Sequence, residues 1–286
     1  MNFKIVSDSS SNVFELDSIP YISVPLKINA SEKEYIDNAD LDLRGMVDDL
    51  KAYKGKSGSS CPNVQEWLDA YQGADCIFGV TISRHLSGSY NAAVQAGDVY
   101  MEEHPGAKVF IFDSMSAGPE LALIIEKLKV LIKEGLDFEA IRDAVIEYHN
   151  RLHTLFCLQS MTNLARNGRV NSAVAKIASA LNIRVIGDAN CGQLAPTTKP
   201  RGDKKALQVL VDLILEKGLT DGTIRIAHCF NPALAEELKT AVLAKRPDCN
   251  VIIEHTTALC SYYAEVGGLI IAWEGNYNPI NNHDIN

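Results

Sequence analysis

The chain has 286 residues, of which 47% are hydrophobic, and a formal net charge of -9 at pH 7. That is enough apolar material for one large or two ordinary domains, and it excludes wholesale disorder. The acidic balance argues against a nucleic-acid partner, because phosphate contacts need a basic face, although a local basic patch stays compatible with it.

In chain order, residues 3–6 read as a first strand rather than a signal peptide, and residues 21–28 as a second. Residues 41–53 read as a helix, 54–60 as a Gly/Ser loop and 64–71 as a short helix. The apolar run at 76–82 and the run at 109–112 read as strands, with a helix over 91–103 between them. Helices follow at 120–133, where Gly135 suits the C-terminal cap, and from Asp137 to about Arg151. Strand–helix alternation of this kind predicts a mostly parallel sheet with helices on both faces in an N-terminal α/β domain, residues 1–152.

A second α/β domain with a mixed sheet is expected over 153–286. Its strands read at 155–158, 184–187, 193–195, 224–229, 251–254 and 269–273, with a hairpin turning at Asn190-Cys191-Gly192. Helices are expected at 161–166, 172–181, 200–217 and 232–245, and the apolar stretch at 174–178 reads as core. No apolar run approaches the length of a membrane span, so no transmembrane segment is expected, while transient contact with a membrane surface stays open. The seven cysteines are scattered, odd in number and contain no C-x-x-C. They read as buried thiols in a reducing cytoplasm, with no metal site and no disulfide framework.

Chemistry concentrates where strands end. The segment Thr81-Ile82-Ser83-Arg84-His85-Leu86-Ser87-Gly88-Ser89-Tyr90 joins a strand to a helix. In an open α/β sheet ligands bind there, and a first helical turn offers unpaired amides to an anion. With no Arg or Lys beside Ser87, the segment reads as a seat for a small acidic head group, held by hydroxyls and amides. Asp8 and Asp113 stand just past two other strands, each followed by serine. Local turn chemistry accounts for both, and their expected task is to hold the loops that hold a ligand. Ser59 and Ser60 could reach the same head group from a second loop, although a plain capping loop explains them as well. Arg169 reads as a surface residue beside a capping glycine, and Arg201 belongs to the densest basic cluster, which suits phosphate, an acidic partner or a solvated face.

Catalytic readings are thin. A serine enzyme acting on acyl groups would use Ser87 as nucleophile and His85 as base, two positions apart and so on one face of an extended segment. There is no G-x-S-x-G elbow, no phosphate-binding glycine loop and no H-E-x-x-H helix. The lack of catalytic machinery points toward a binding protein.

The order of these segments resembles the DegV family of bacterial fatty-acid-binding proteins. The D-S-S/T loop is matched by Asp8-Ser9-Ser10, the T-S-Q-P loop by Ser59-Ser60-Cys61-Pro62, and the S-x-x-L-S-G-T/S-Y segment by residues 83–90. A V-x-x-x-D-S strand end is matched at 109–114, and an L-x-x-L-x-x-x-G-R-I segment and a basic R-x-x-K-K-A segment are resembled at 158–170 and 201–206. The resemblance implies a two-domain fold that encloses one long-chain fatty acid, such as palmitate, in a tunnel between the domains. It also implies a role in fatty acid transport or presentation to a fatty-acid kinase, with no catalysis and no cofactor. It implies that Ser59 and Ser87, with Ser60 and Gly88 beside them, hold the carboxylate, and that Arg169 and Arg201 face a phosphate or partner. Related folds also serve phosphotransfer modules, which is the other alternative to a binding protein. One departure stands out: Tyr263 occupies the place of a family histidine that touches the carboxylate, and Glu265 adds a negative charge nearby. The physics of such a ligand is coherent, since each buried CH₂ contributes about 0.8 kcal/mol and the head group then needs satisfying rather than strong charge pairing.

Overall fold

The computed structural model describes residues 2–171, 182–220 and 222–278. The expected helix at 172–181 and the stretch at 174–178 lie outside the described residues. The chain divides into two units. One is formed by the residues up to His149 together with Thr257–Leu259, the other by residues 150–256 and those from Cys260 onward.

The first unit is built on a fully parallel sheet in the order β2-β1-β6-β7, comprising β2 (Tyr21–Val24), β1 (Phe3–Asp8), β6 (Cys76–Thr81) and β7 (Lys108–Asp113). All six residues of β6 are buried, which is what a strand covered on both faces requires. Alternation sends its neighbours to opposite sides. Ile77 joins Trp67 and Tyr71 of α2 (Val64–Tyr71) and Ala93, Ala96 and Tyr100 of α3 (Ser89–Glu103). Phe78 stacks at 4.6 Å on Phe138 of α5 (Phe138–His149), the face that α4 (Pro119–Lys133) also covers. α2 begins where its sequence says it should, because Asn63 and Glu66 form a reciprocal capping box.

A second, three-stranded antiparallel sheet in this unit has the order β4-β3-β5, with β3 (Lys27–Ala30), β4 (Lys33–Ile36) and β5 (Ser57–Ser60). It corrects two expectations. The strand expected at 21–28 is two strands in different sheets, divided at Pro25, which has no amide to offer a ladder. The Gly/Ser loop expected at 54–60 ends in β5, with Ser59 opposite Ile28 and Ser60 opposite Lys27. The helix α1 (Leu43–Ala52) starts at Asp42, whose side chain accepts the amide of Gly45.

The second unit holds a six-stranded mixed sheet in the order β10-β9-β8-β13-β11-β12. Its strands are β8 (Leu152–Leu158), β9 (Val185–Asn190), β10 (Gln193–Thr198), β11 (Thr223–His228), β12 (Asn250–His255) and β13 (Leu269–Glu274). Only β11 and β12 pair in parallel, joined through α8 (Pro232–Leu243). The β9–β10 hairpin turns at Cys191 and Gly192, both at positive φ, as the Asn-Cys-Gly run suggested. Leu155, Ile186, Ile226 and Trp273 of the sheet pack with Leu210 of α7 (Asp203–Glu216) and Leu238 of α8. The short helix α6 (Thr162–Arg166) belongs to it, and α9 (Ala258–Ala264) enters it at Cys260. Five cysteines are buried, Cys61 is partly buried and Cys191 is exposed. Among the described residues no helix is long and apolar enough to cross a membrane.

Candidate ligand-binding site

Three strand ends of the parallel sheet meet around the segment that joins β6 to α3. Asp8, the last residue of β1, is fully buried. Its Oδ1 accepts the amide of Ser10 at 3.3 Å and the hydroxyl of Ser10 at 2.5 Å. Its Oδ2 accepts the amide of Ile82 at 3.0 Å and the hydroxyl of Ser89 at 2.7 Å. One carboxylate therefore grips both ends of residues 82–89. Burial pushes this carboxyl above its ordinary value, against the hydrogen bonds from Ser10, Ser89 and Ile82. Asp113, at the end of β7, holds the middle. Its Oδ1 accepts the amides of Arg84 at 3.2 Å and Met115 at 3.0 Å, and its Oδ2 pairs with Arg84 Nε. The loop-holding task expected of both aspartates is what these contacts perform.

Between those anchors the chain winds one helical turn. The amides of Leu86 and Ser87 both donate to the carbonyl of Ser83, at 2.9 and 3.1 Å. The Ser87 hydroxyl oxygen accepts the amide of Ser89 at 3.3 Å, which leaves its own O–H to donate outward. Gly88, exposed, begins α3 with no side-chain cap. A Cβ placed on Gly88 would stand 3.2 Å from Cys61 Sγ, so the end of β5 lies against the start of α3. That contact puts Cys61, the residue after Ser60, beside Gly88. Ser59 is half-buried, and Ser60 is exposed, its hydroxyl accepting Asn29 Nδ2 at 3.2 Å.

The helical turn changes the reading of His85. Residues two apart on an extended segment share a face, but on a turn of 3.6 residues they point roughly 200° apart. The extended geometry that would put His85 and Ser87 on one face is therefore absent here.

In the second unit, Tyr263 of α9 is half-buried and the Arg169 guanidinium lies 5.9 Å from its ring centroid. Arg169 Nη1 donates to the carbonyl of Asn167 at 2.5 Å. Glu265, at positive φ, accepts the amide of Asn163 at 3.0 Å, so its charge is engaged at the start of α6. Arg201 is exposed ahead of α7, its backbone bridged to Ile183. Arg169 and Tyr263 are thus brought together.

Sequence reasoning missed Asp37, which is 1% exposed. It accepts the amides of Ala258 at 2.7 Å and Leu259 at 3.1 Å, and the hydroxyls of Ser9 at 2.9 Å and Thr257 at 3.3 Å. Asn12 Oδ1 accepts the amide and hydroxyl of the same Thr257, both at 3.0 Å. These bonds hold Thr257–Leu259 within the first unit. Burial pushes the Asp37 carboxyl up to about 6, against those four donors. No local motif marks this residue, because Thr257, Ala258 and Leu259 lie more than 200 positions away and Ser9 is itself 28 positions distant. Among the described residues no cluster of three or more His, Cys, Asp or Glu could hold a metal ion.

Residues 2–275 match the family model described as "Uncharacterised protein, DegV family". The chain belongs to the DegV family. A DegV domain-containing protein of Streptococcus pneumoniae serotype 4 is 37% identical over 279 residues, covering 96% of this chain and 99% of the relative. A crystal structure of a DegV family protein from Eubacterium eligens, loaded with heptadecanoic acid, is 40% identical with a TM-score of 0.93, covering 96% of this chain and 100% of the other. The Streptococcus pneumoniae Fatty Acid Kinase (Fak) B3 protein, loaded with linoleic acid, is 36% identical with a TM-score of 0.94 over the same shares. The mixed α/β architecture, one parallel and one mixed sheet, is that of these DegV structures.

Proposed function

We propose that this DegV protein binds a long-chain fatty acid in the cytoplasm and presents its carboxylate to a fatty-acid kinase, without transforming the acid itself. The observation that carries the reading is the Ser87 turn. Its hydroxyl is fixed by the Ser89 amide and keeps a proton to donate, on a loop clamped by two aspartates. Ser59 and Ser60 supply further hydroxyls from the end of β5, and the exposed backbone of Gly88 lets an anion approach the start of α3. Neutral donors suffice because the acyl tail supplies most of the binding energy. Relatives carrying heptadecanoic and linoleic acid support the ligand class, and the Fatty Acid Kinase B3 relative supports the kinase partner. Arg169, steadied by Tyr263, and the exposed Arg201 are assigned to the phosphate or partner face.

Lipid extraction and native mass spectrometry of the purified protein test the ligand. Acids of about fourteen to eighteen carbons are expected, on the scale of apolar transfer energies. A chain that purifies empty and takes up none of them overturns the reading. Ser87→Ala is expected to weaken fatty-acid affinity by about 1–3 kcal/mol, the cost of one unsatisfied buried partner, measured by displacement of a fluorescent fatty acid. An unchanged affinity removes Ser87 from the site. The serine-enzyme alternative predicts a fluorophosphonate adduct on Ser87; the binding reading predicts none.

A further inference from the structure

Arg84 is built into the head-group loop in a way that its place in the sequence did not announce. Its Nε pairs with Asp113, whose side chain is only 4% exposed, and its own amide donates to the other oxygen of that carboxylate. Its guanidinium carbon lies 4.3 Å from the ring centroid of Tyr90 in the first turn of α3. The plane of the fork is therefore set by an aromatic face, and its orientation by a carboxylate. Even so, 46% of the side chain remains exposed. With Nε on Asp113 and the Tyr90 side chain as a further hydrogen-bond partner, a guanidinium with five N–H donors still has protons for another acceptor, and holding it in place beforehand lowers the entropy lost on binding.

We propose that Arg84 is a specificity-determining residue that recognises a phosphoryl group on the head of the bound acid. The inference rests on the fatty-acid reading above. Phosphorylation of a carboxylate joins one of its oxygens to the terminal phosphorus of a nucleoside triphosphate and breaks the donor's P–O bond, leaving the diphosphate. The head group gains bulk, negative charge and three acceptor oxygens. Hydroxyls and amides that satisfy a carboxylate do not match that change, whereas a guanidinium fork does. Arg84 then favours the phosphorylated head over the free acid, while Ser87 serves both.

Hexadecanoic acid and hexadecylphosphonic acid, which mimics the phosphorylated head and cannot be hydrolysed, separate the two roles in titration calorimetry. Arg84→Gln is expected to weaken the phosphonate about tenfold more than it weakens the carboxylate, the scale of one charge-assisted hydrogen bond. Ser87→Ala is expected to weaken both. Because Arg84→Gln strips Asp113 of its ion partner, Arg84→Lys serves as the second variant. It keeps the charge, loses the fork, and is expected to show a smaller, still phosphonate-selective loss. If the wild type binds neither amphiphile, the fatty-acid reading falls and this inference with it. If it binds hexadecanoic acid but not the phosphonate, or if neither Arg84 variant loses phosphonate selectively, the inference alone is overturned.

Discussion

Replacing Asp8 by alanine is expected to destabilise the protein by about 3–5 kcal/mol and to weaken fatty-acid binding by at least about tenfold. The carboxylate is fully buried and accepts four hydrogen bonds, from the amides of Ser10 and Ile82 and the hydroxyls of Ser10 and Ser89. The hydroxyls can turn toward other acceptors, but the amides cannot, so alanine strands buried backbone donors and leaves a cavity. Asparagine fills the space and still fails at one point. Whichever way its amide turns, its NH₂ meets the amide of either Ser10 or Ile82, donor against donor. Asp8→Asn is therefore expected to cost roughly 1–3 kcal/mol. Urea denaturation gives the stability, and fatty-acid displacement on the still-folded variant gives the affinity. The second measurement matters because Asp8 touches both ends of the loop that displays Ser87. A variant that loses stability but binds with wild-type affinity would show that the turn at residues 84–87 holds its shape through Asp113 alone.

The same residues show what can be read from a sequence and what cannot. The apolar runs ending at Val6, Val80 and Phe112 announce strands because a sheet covered on both faces has no polar face to interrupt them. The residues that follow such strands are conspicuous for the same reason, and that made Asp8, Ser87 and Asp113 visible. Ser57–Ser60 was not, because glycine and serine have no strand preference of their own; β3 supplies the ladder that extends them. Lys33–Ile36 was overlooked as a strand, being mostly exposed and charged at the edge of that sheet. The face on which His85 lies depends on whether residues 84–87 are extended or helical. Two hydrogen bonds to one carbonyl decide that, and neither leaves a mark in composition. Arg84 is not marked in the sequence because what fixes its guanidinium is Asp113, 29 positions away, together with the ring of Tyr90.

Asp37 and His149 make the first unit more stable on the acid side of neutrality than on the alkaline side. The Asp37 carboxyl is pushed up to about 6 by burial, so between roughly pH 4 and 6 the folded chain holds a proton that the unfolded chain has released. Stability from this group is therefore full below the ordinary carboxylate value and falls as pH rises through 6. A shift of about two units corresponds to roughly 3 kcal/mol. His149 is equally buried. Its Nε2 lies 2.9 Å from the carbonyl of Ser114 and 3.3 Å from Glu120, itself only 2% exposed. Burial alone would depress the imidazole, but Glu120 and the Ser114 carbonyl outweigh it and raise its pKa above the ordinary value. Its contribution is complete below that ordinary value and is lost as pH rises through the folded one. Urea midpoints of the wild type, Asp37→Asn and His149→Gln at pH 4.5, 6, 7.5 and 9 separate the two groups. The advantage of the wild type over Asp37→Asn is expected to shrink between pH 4.5 and 7.5, and its advantage over His149→Gln to shrink above pH 6.5. If the wild type instead gains on Asp37→Asn as pH rises, the donors from Ser9, Thr257, Ala258 and Leu259 outweigh burial. The segment Thr257–Leu259 would then be held by an ionised carboxylate.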